Sequence, residues 1–274
     1  MSYWKKTYLQ GLDQAGVTRD CLFNVDGAIR VVNQDYLLAL SEGDISGHTR
    51  WEKFGFNDAI GTTQLTLGPA YSADYVWPTG NTQMSIRSSD NTQDKAGGTG
   101  ARTVTLYYLD SAYAEKSVDV NLNGTTWVDL SVADVFRVQN MRTKTVGAGG
   151  KPVGNITLAD TATKGITYGY ISAGRNRQRQ FIWTVPAGKT LYITQASIYA
   201  MCGTANKYCR IILEATYDNK SGTVLTPGVH FIGYAEGLGS QFSNGFQYGL
   251  PIKFPAQTDI KASAIAQAAS SGIS

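Results

Sequence analysis

The chain has 274 residues, with 24 Lys+Arg against 21 Asp+Glu and a formal net charge of +3. Charged residues make up 16% of it, below the ~25% of an average soluble domain, and 30 glycines mark it as rich in turns. A hydrophobic content of 42% excludes a wholly disordered chain, +3 is too weak for the basic face of a nucleic-acid binder, and no apolar run reaches the ~18 residues of a membrane span.

The start, Met1-Ser2-Tyr3-Trp4-Lys5-Lys6, has no apolar run behind it, so no signal peptide is expected and synthesis is placed in the cytoplasm. Residues 1–46 read as an extended arm. Its best helix is 31–40, where Val32, Tyr36, Leu37 and Leu40 fall at helical spacing and Asn33 or Asp35 can cap. Glycines at 11, 16, 27 and 43 keep that helix short. From Trp51 on, the pattern is strand after strand. Tyr71, Tyr75 and Trp77 fall on one strand face, a pattern that stacks on sugar rings but more often packs a core. Thr103 to Leu109 alternates with period two and predicts a half-buried strand. Lys116–Leu122, Asn123-Gly124 and Thr125–Leu130 predict a hairpin through a type I′ turn, with Val120 opposite Trp127. Asp90, Asp94, Asp110 and Asp160 fall in turns; calcium would require several of their oxygens to converge.

Asn155 to Leu158 adds a strand, and the break between two domains is placed just after it, giving 47–160 and 161–274. In the second domain Arg175, Arg177 and Arg179 are two apart, so on a strand they form a cationic ridge suited to carboxylates of a partner subunit or to phosphates. The bland reading is a solvated edge strand protected by its own charge. Phe181–Val185, the turn Pro186-Ala187-Gly188-Lys189 and Thr190–Thr194 predict a second hairpin. Cys202 and Cys209 flank a short loop that a disulfide can close, but a reducing cytosol favours free thiols. Ile211, Leu213, Ala215 and Tyr217 share one face of a strand, and Asp259–Ala264 forms the last strand before a polar tail. Strands spaced this way predict an all-β fold: two antiparallel β-sandwich domains, jelly-roll or immunoglobulin-like, behind the arm.

Chemistry is sparse. Three Cys and two His (His48, His230) do not provide the paired ligands of a zinc site. No nucleophile elbow, phosphate loop or dinucleotide fingerprint occurs. No catalytic, cofactor or metal residue is assigned, and the chain is expected not to be an enzyme.

Five segments carry a resemblance. They are Glu42–His48 with Trp51–Asn57, then Gly100–Leu106 with Leu109-Asp110 and Val120–Thr126, then Val153–Thr157, Thr184–Thr194 and Pro255–Ile260. Together they span roughly residues 42–264, and the chain resembles a family of structural proteins encoded beside the capsid genes of tailed bacteriophages. The resemblance implies a virion component on the capsid exterior, a head decoration (cement) protein that bridges neighbouring major capsid subunits. A homotrimer is expected, with no direct nucleic-acid contact and no membrane. Trp4, Lys5 and Lys6, with Tyr36, Leu37 and Leu40 of the helix, are the expected anchors on the shell, and Arg175, Arg177 and Arg179 a further contact. The alternative is a tail, neck or head-fibre adhesion module that binds host glycans through Tyr71, Tyr75 and Trp77.

Overall fold

The computed structural model describes residues 10–12, 18–20, 39–40, 42–43, 45–68, 74–201, 208–217, 229–238, 242–267 and 271–273. The chain divides into two compact units, 1–52 and 53–274. In the first, β1 (Gln10–Leu12) pairs antiparallel with β2 (Thr18–Asp20), Gly11 opposite Arg19. Of the predicted helix, residues 31–38 lie outside the described residues; Ala39, Leu40 and Glu42 are helical, and Gly43 N–H donates to the Leu40 carbonyl at 3.3 Å.

Unit 53–274 is all-β in character, its regular structure being several antiparallel sheets with a sandwich-like arrangement. One sheet takes β5 (Met84–Ser88), β8 (Val128–Asp129), β10 (Ile156–Asp160) and β11 (Thr167–Ile171), in the order β11-β10-β5-β8. Another takes β6 (Ala101–Leu109), β7 (Glu115–Asn121) and β9 (Arg137–Val146), with β6 in the middle. Period two explains the packing of β6. Val104, Leu106 and Tyr108 turn inward, while Thr103 and Thr105 on the other face hydrogen-bond Asn121 and Asp119 of β7. One core draws on both sheets: Met84, Ile86, Ile156 and Leu158 from the first, Val104, Leu106, Val120, Val138 and Met141 from the second. Each such side chain contributes roughly 1.5–3 kcal/mol by leaving water.

The C-terminal half builds a second core. Its five-stranded sheet runs β12 (Ile182–Thr184), β17 (Thr258–Ala266), β14 (Tyr208–Tyr217), β15 (Val229–Leu238), with β4 (Leu65–Thr66) also on β17. A four-stranded sheet runs β16 (Phe242–Phe254), β13 (Leu191–Met201), β18 (Ser271–Ile273), β3 (Asn57–Ile60). Ile60, Ala200, Cys209, Ile211, Ala262, Ala264 and Ala266 form the core here. The small alanines let β17 be covered along most of its length on both faces.

Hydrogen bonding crosses residue 160 in both directions. β11 pairs with β10 before it, while β3 and β4 pair with β18 and β17 far after it, so the sheets do not part at that point. β12 joins the two cores: Ile182 turns into the first, and its neighbour Phe181 packs on the second. A buried ion pair makes the same junction, from Arg137 of β9 to Asp259 of β17. Arg137 Nε donates to both carboxylate oxygens at 3.0 and 3.1 Å and an Nη donates at 3.0 Å, with both side chains 7% exposed. The other Nη donates to the carbonyls of Pro78 and Phe136, and the guanidinium lies 3.8 Å from the Phe136 ring centroid. Gln139, two residues along β9, pairs its amide with both the N–H and the carbonyl of Thr184.

Both predicted hairpins are corrected. A turn forms one residue further on, from Asn123 to Thr126, with Gly124 at φ +60° and Thr126 N–H donating to the Asn123 carbonyl at 3.1 Å; Asn123 is not at positive φ, so the expected type I′ pair Asn123-Gly124 does not form. The arms then separate. β7 pairs with β6, so Val120 lies opposite Val104, and β8 pairs with β5 in the other sheet. Trp127 instead carries Arg87 at 4.5 Å and Lys164 at 5.4 Å. The Pro186–Lys189 turn also forms, with Gly188 at φ +72°, but β12 goes to β17 and β13 to β16 and β18. In each case Leu or Val side chains on both arms bury more by entering the core between two sheets than by facing each other across one ribbon. The expectation of free thiols fails at Cys209, which is buried and disulfide-bonded; the other two cysteines, Cys21 and Cys202, lie outside the described residues.

Candidate functional site

Segment 175–180 leaves a turn, bends at Asn176 and then lies against β9. Arg177 is the antiparallel bridge partner of Arg142, flanked by Thr143 N–H to Asn176 carbonyl and Gln178 N–H to Met141 carbonyl, each 3.0 Å. On its other side Phe56 N–H donates to the Arg179 carbonyl at 3.1 Å. Side chains alternate as an extended backbone requires: Gln178 and Gln180 are buried, Arg175 and Arg177 exposed, Arg179 half-buried. The glutamines bond each other, Nε2 of Gln178 to Oε1 of Gln180, and their remaining amide atoms have no hydrogen-bond partner. This is the predicted ridge, held by a single bridge and loop hydrogen bonds rather than by a regular strand.

The fold adds cations that are distant in sequence. Arg142 lies across from Arg177 and 5.8 Å from the ring of Tyr107. Lys53 donates to the Gln139 carbonyl at 2.6 Å, and its ammonium pKa falls from 10.5 to about 7, through burial first and then through Arg177 and Arg142. Arg179 rests over Phe54 at 5.5 Å and Phe56 at 5.8 Å, and burial together with Arg175 and Arg177 lowers its pKa. Among the described residues, none of Lys53, Arg142, Arg175, Arg177 and Arg179 makes an ion pair. A cleft of about 270 Å³ opens beside them, lined by Phe56, Asp58, Tyr170, Ser172, Arg175 and Arg179. Chemically the surface offers guanidinium forks, the hydroxyl-bearing residues Tyr170 and Ser172, and exposed aromatic edge, a set that receives oxyanions. Lys53 and Arg142 had no signal of their own in the sequence. Only the Lys53-Phe54-Gly55-Phe56 run stood out, as part of the family resemblance.

The remaining predicted residues separate. Tyr75 is 4% exposed, in edge-to-face contact with Trp77 at 5.0 Å and Tyr168 at 6.2 Å; Trp77 packs on the same core. Burial removes Tyr75 from any sugar-stacking surface, and Tyr71 lies outside the described residues. Trp4, Lys5, Lys6, Tyr36 and Leu37 also lie outside them, whereas Leu40 is half-buried. His48 is exposed and its Nδ1 meets the Ser46 carbonyl at 3.1 Å; His230 lies in β15 opposite Ala215.

The turn aspartates spend their oxygens on their own loops. Asp94 is fully buried and accepts from Ser88 Oγ, Ala101 N–H, Val153 N–H and Gly154 N–H at 2.6–3.0 Å, which fastens the ends of both sheets of the first core. Asp90 accepts from the N–H groups of Thr92, Gln93 and Asp94, with Gln93 the largest influence holding its pKa down. Burial alone would raise the Asp160 carboxyl, but Ile166 N–H and the Thr163 hydroxyl and N–H bring it to about 2. Asp110 is held low chiefly by Lys116, 3.0 Å away. Among the described residues no three His, Cys, Asp or Glu side chains gather as metal ligands, and no helix is long and apolar enough to cross a membrane.

Comparison of the chain with protein-family models, curated proteins and solved structures finds no match.

Proposed function

We propose that this is a non-enzymatic structural protein of a tailed-bacteriophage virion, a decoration protein on the capsid exterior that bridges neighbouring major capsid subunits as a homotrimer. The observation that carries the reading is the set of uncompensated cations around Arg175 and Arg177. A chain of net charge +3 has enough carboxylates to neutralise them internally, yet gathers them at one surface with no ion-pair partner among the described residues. The family resemblance over residues 42–264 supplies the virion context. Two cores fastened by a buried ion pair suit a body that must resist shear between shell subunits. The same reading takes the two pairs of sheets as two β-sandwich domains, jelly-roll or immunoglobulin-like, and residues 1–46 as an arm that docks on the shell. Repeated copies joined as trimers would hold firmly even where each contact is modest.

Copy number tests the proposal. Quantitative mass spectrometry of purified particles should find this chain at a stoichiometry comparable to the major shell protein. A few copies per particle, or none, overturns it.

A further inference from the structure

We infer that the exposed ridge formed by Arg142, Arg175 and Arg177, with the cleft beside Arg179, is a receiving site for the carboxylates of an acidic segment on a partner protein. The inference deepens the proposed function and rests on it only for where that partner resides. Arg142 and Arg177 are direct antiparallel bridge partners, a placement in which like charges destabilise. Lys53 lies close enough to both for each to depress its protonation. None of these cations has an acidic partner among the described residues, so the fold keeps a repulsive cluster that an incoming carboxylate relieves.

Two features favour carboxylates over a nucleic-acid backbone. The Arg179 guanidinium already lies over the rings of Phe54 and Phe56 and takes up part of the aromatic surface on which a base would stack. A cleft of about 270 Å³ is the size of one or two side chains, and Arg175 and Arg179 within it offer the planar fork that matches a carboxylate.

The test uses the full chain and fluorescein-labelled hexaglutamate, read by anisotropy at low ionic strength, with hexathymidylate as the phosphate probe. Arg175→Glu/Arg177→Glu is compared with Arg87→Glu/Lys253→Glu, which makes the same charge change at exposed positions on β5 and β16. All four sites are exposed, and circular dichroism checks that each variant folds. The expected result is that hexaglutamate binding weakens at least about tenfold in the ridge variant and within about twofold in the control. Equal weakening in both, no binding by the parent chain, or tighter binding of hexathymidylate that is lost with the ridge each overturns the inference. No virion enters this assay, so its failure leaves the decoration reading to be decided separately by copy number.

Discussion

Replacing Asp259 by alanine tests the junction on which the two cores depend. The carboxylate accepts three hydrogen bonds from Arg137 and one from the Thr184 hydroxyl, and Arg137 is 6% exposed. Alanine leaves the guanidinium in place, still donating to Pro78 and Phe136 but with no countercharge from Asp259 and little access to water. Removing one member of a buried pair costs about 3–5 kcal/mol, which for a unit of this size lowers the melting temperature by about 6–20 °C. Calorimetry and urea denaturation of the full chain measure it. Arg137→Met/Asp259→Ala should recover at least ~1 kcal/mol of the loss, because the stranded charge is gone. The reasoning is refuted if Asp259→Ala costs no more than ~1 kcal/mol, the range of solvent-exposed ion pairs in general. Strict additivity in the double variant refutes it too.

Other outcomes follow from the same geometry. Asp94→Ala strands four donors at once and should lower stability by about 3 kcal/mol or more, seen as a shifted urea midpoint with an unchanged slope. Lys53 binds its proton with a pKa of about 7 when folded and 10.5 when unfolded. Its penalty is therefore full below pH 7 and relieved as pH rises toward 10.5, where the unfolded chain holds more protons. Lys53→Met should flatten that rise in denaturation midpoints; an unchanged slope contradicts it. Asp160 works in the opposite direction: with its carboxyl at about 2 against 3.8, its contribution is present above 3.8 and lost as pH falls toward 2. Asp160→Asn should remove that part of the acid sensitivity, measured in the same titration.

What the sequence determined by itself is local. Alternation in 103–109 and 211–217 specifies strands and their inward faces, because a side-chain period of two depends on backbone geometry alone, and the residues of 259–264 specify a strand without choosing a face. Gly124 and Pro186–Lys189 specify turns for the same reason: the φ values they require are properties of two or three residues. The two-residue spacing of Arg175, Arg177 and Arg179 likewise fixed that an extended segment would present them together. Tertiary structure decided which strand each arm would join. The ladder hydrogen bonds are alike for any partner, so the choice falls to nonlocal burial, and Val120 goes to Val104 rather than Trp127. It also brought Lys53 and Arg142 to the ridge and Arg137 to Asp259 across 122 residues. No spacing rule reaches that far, because those contacts exist only once two sheets have packed and excluded water between them.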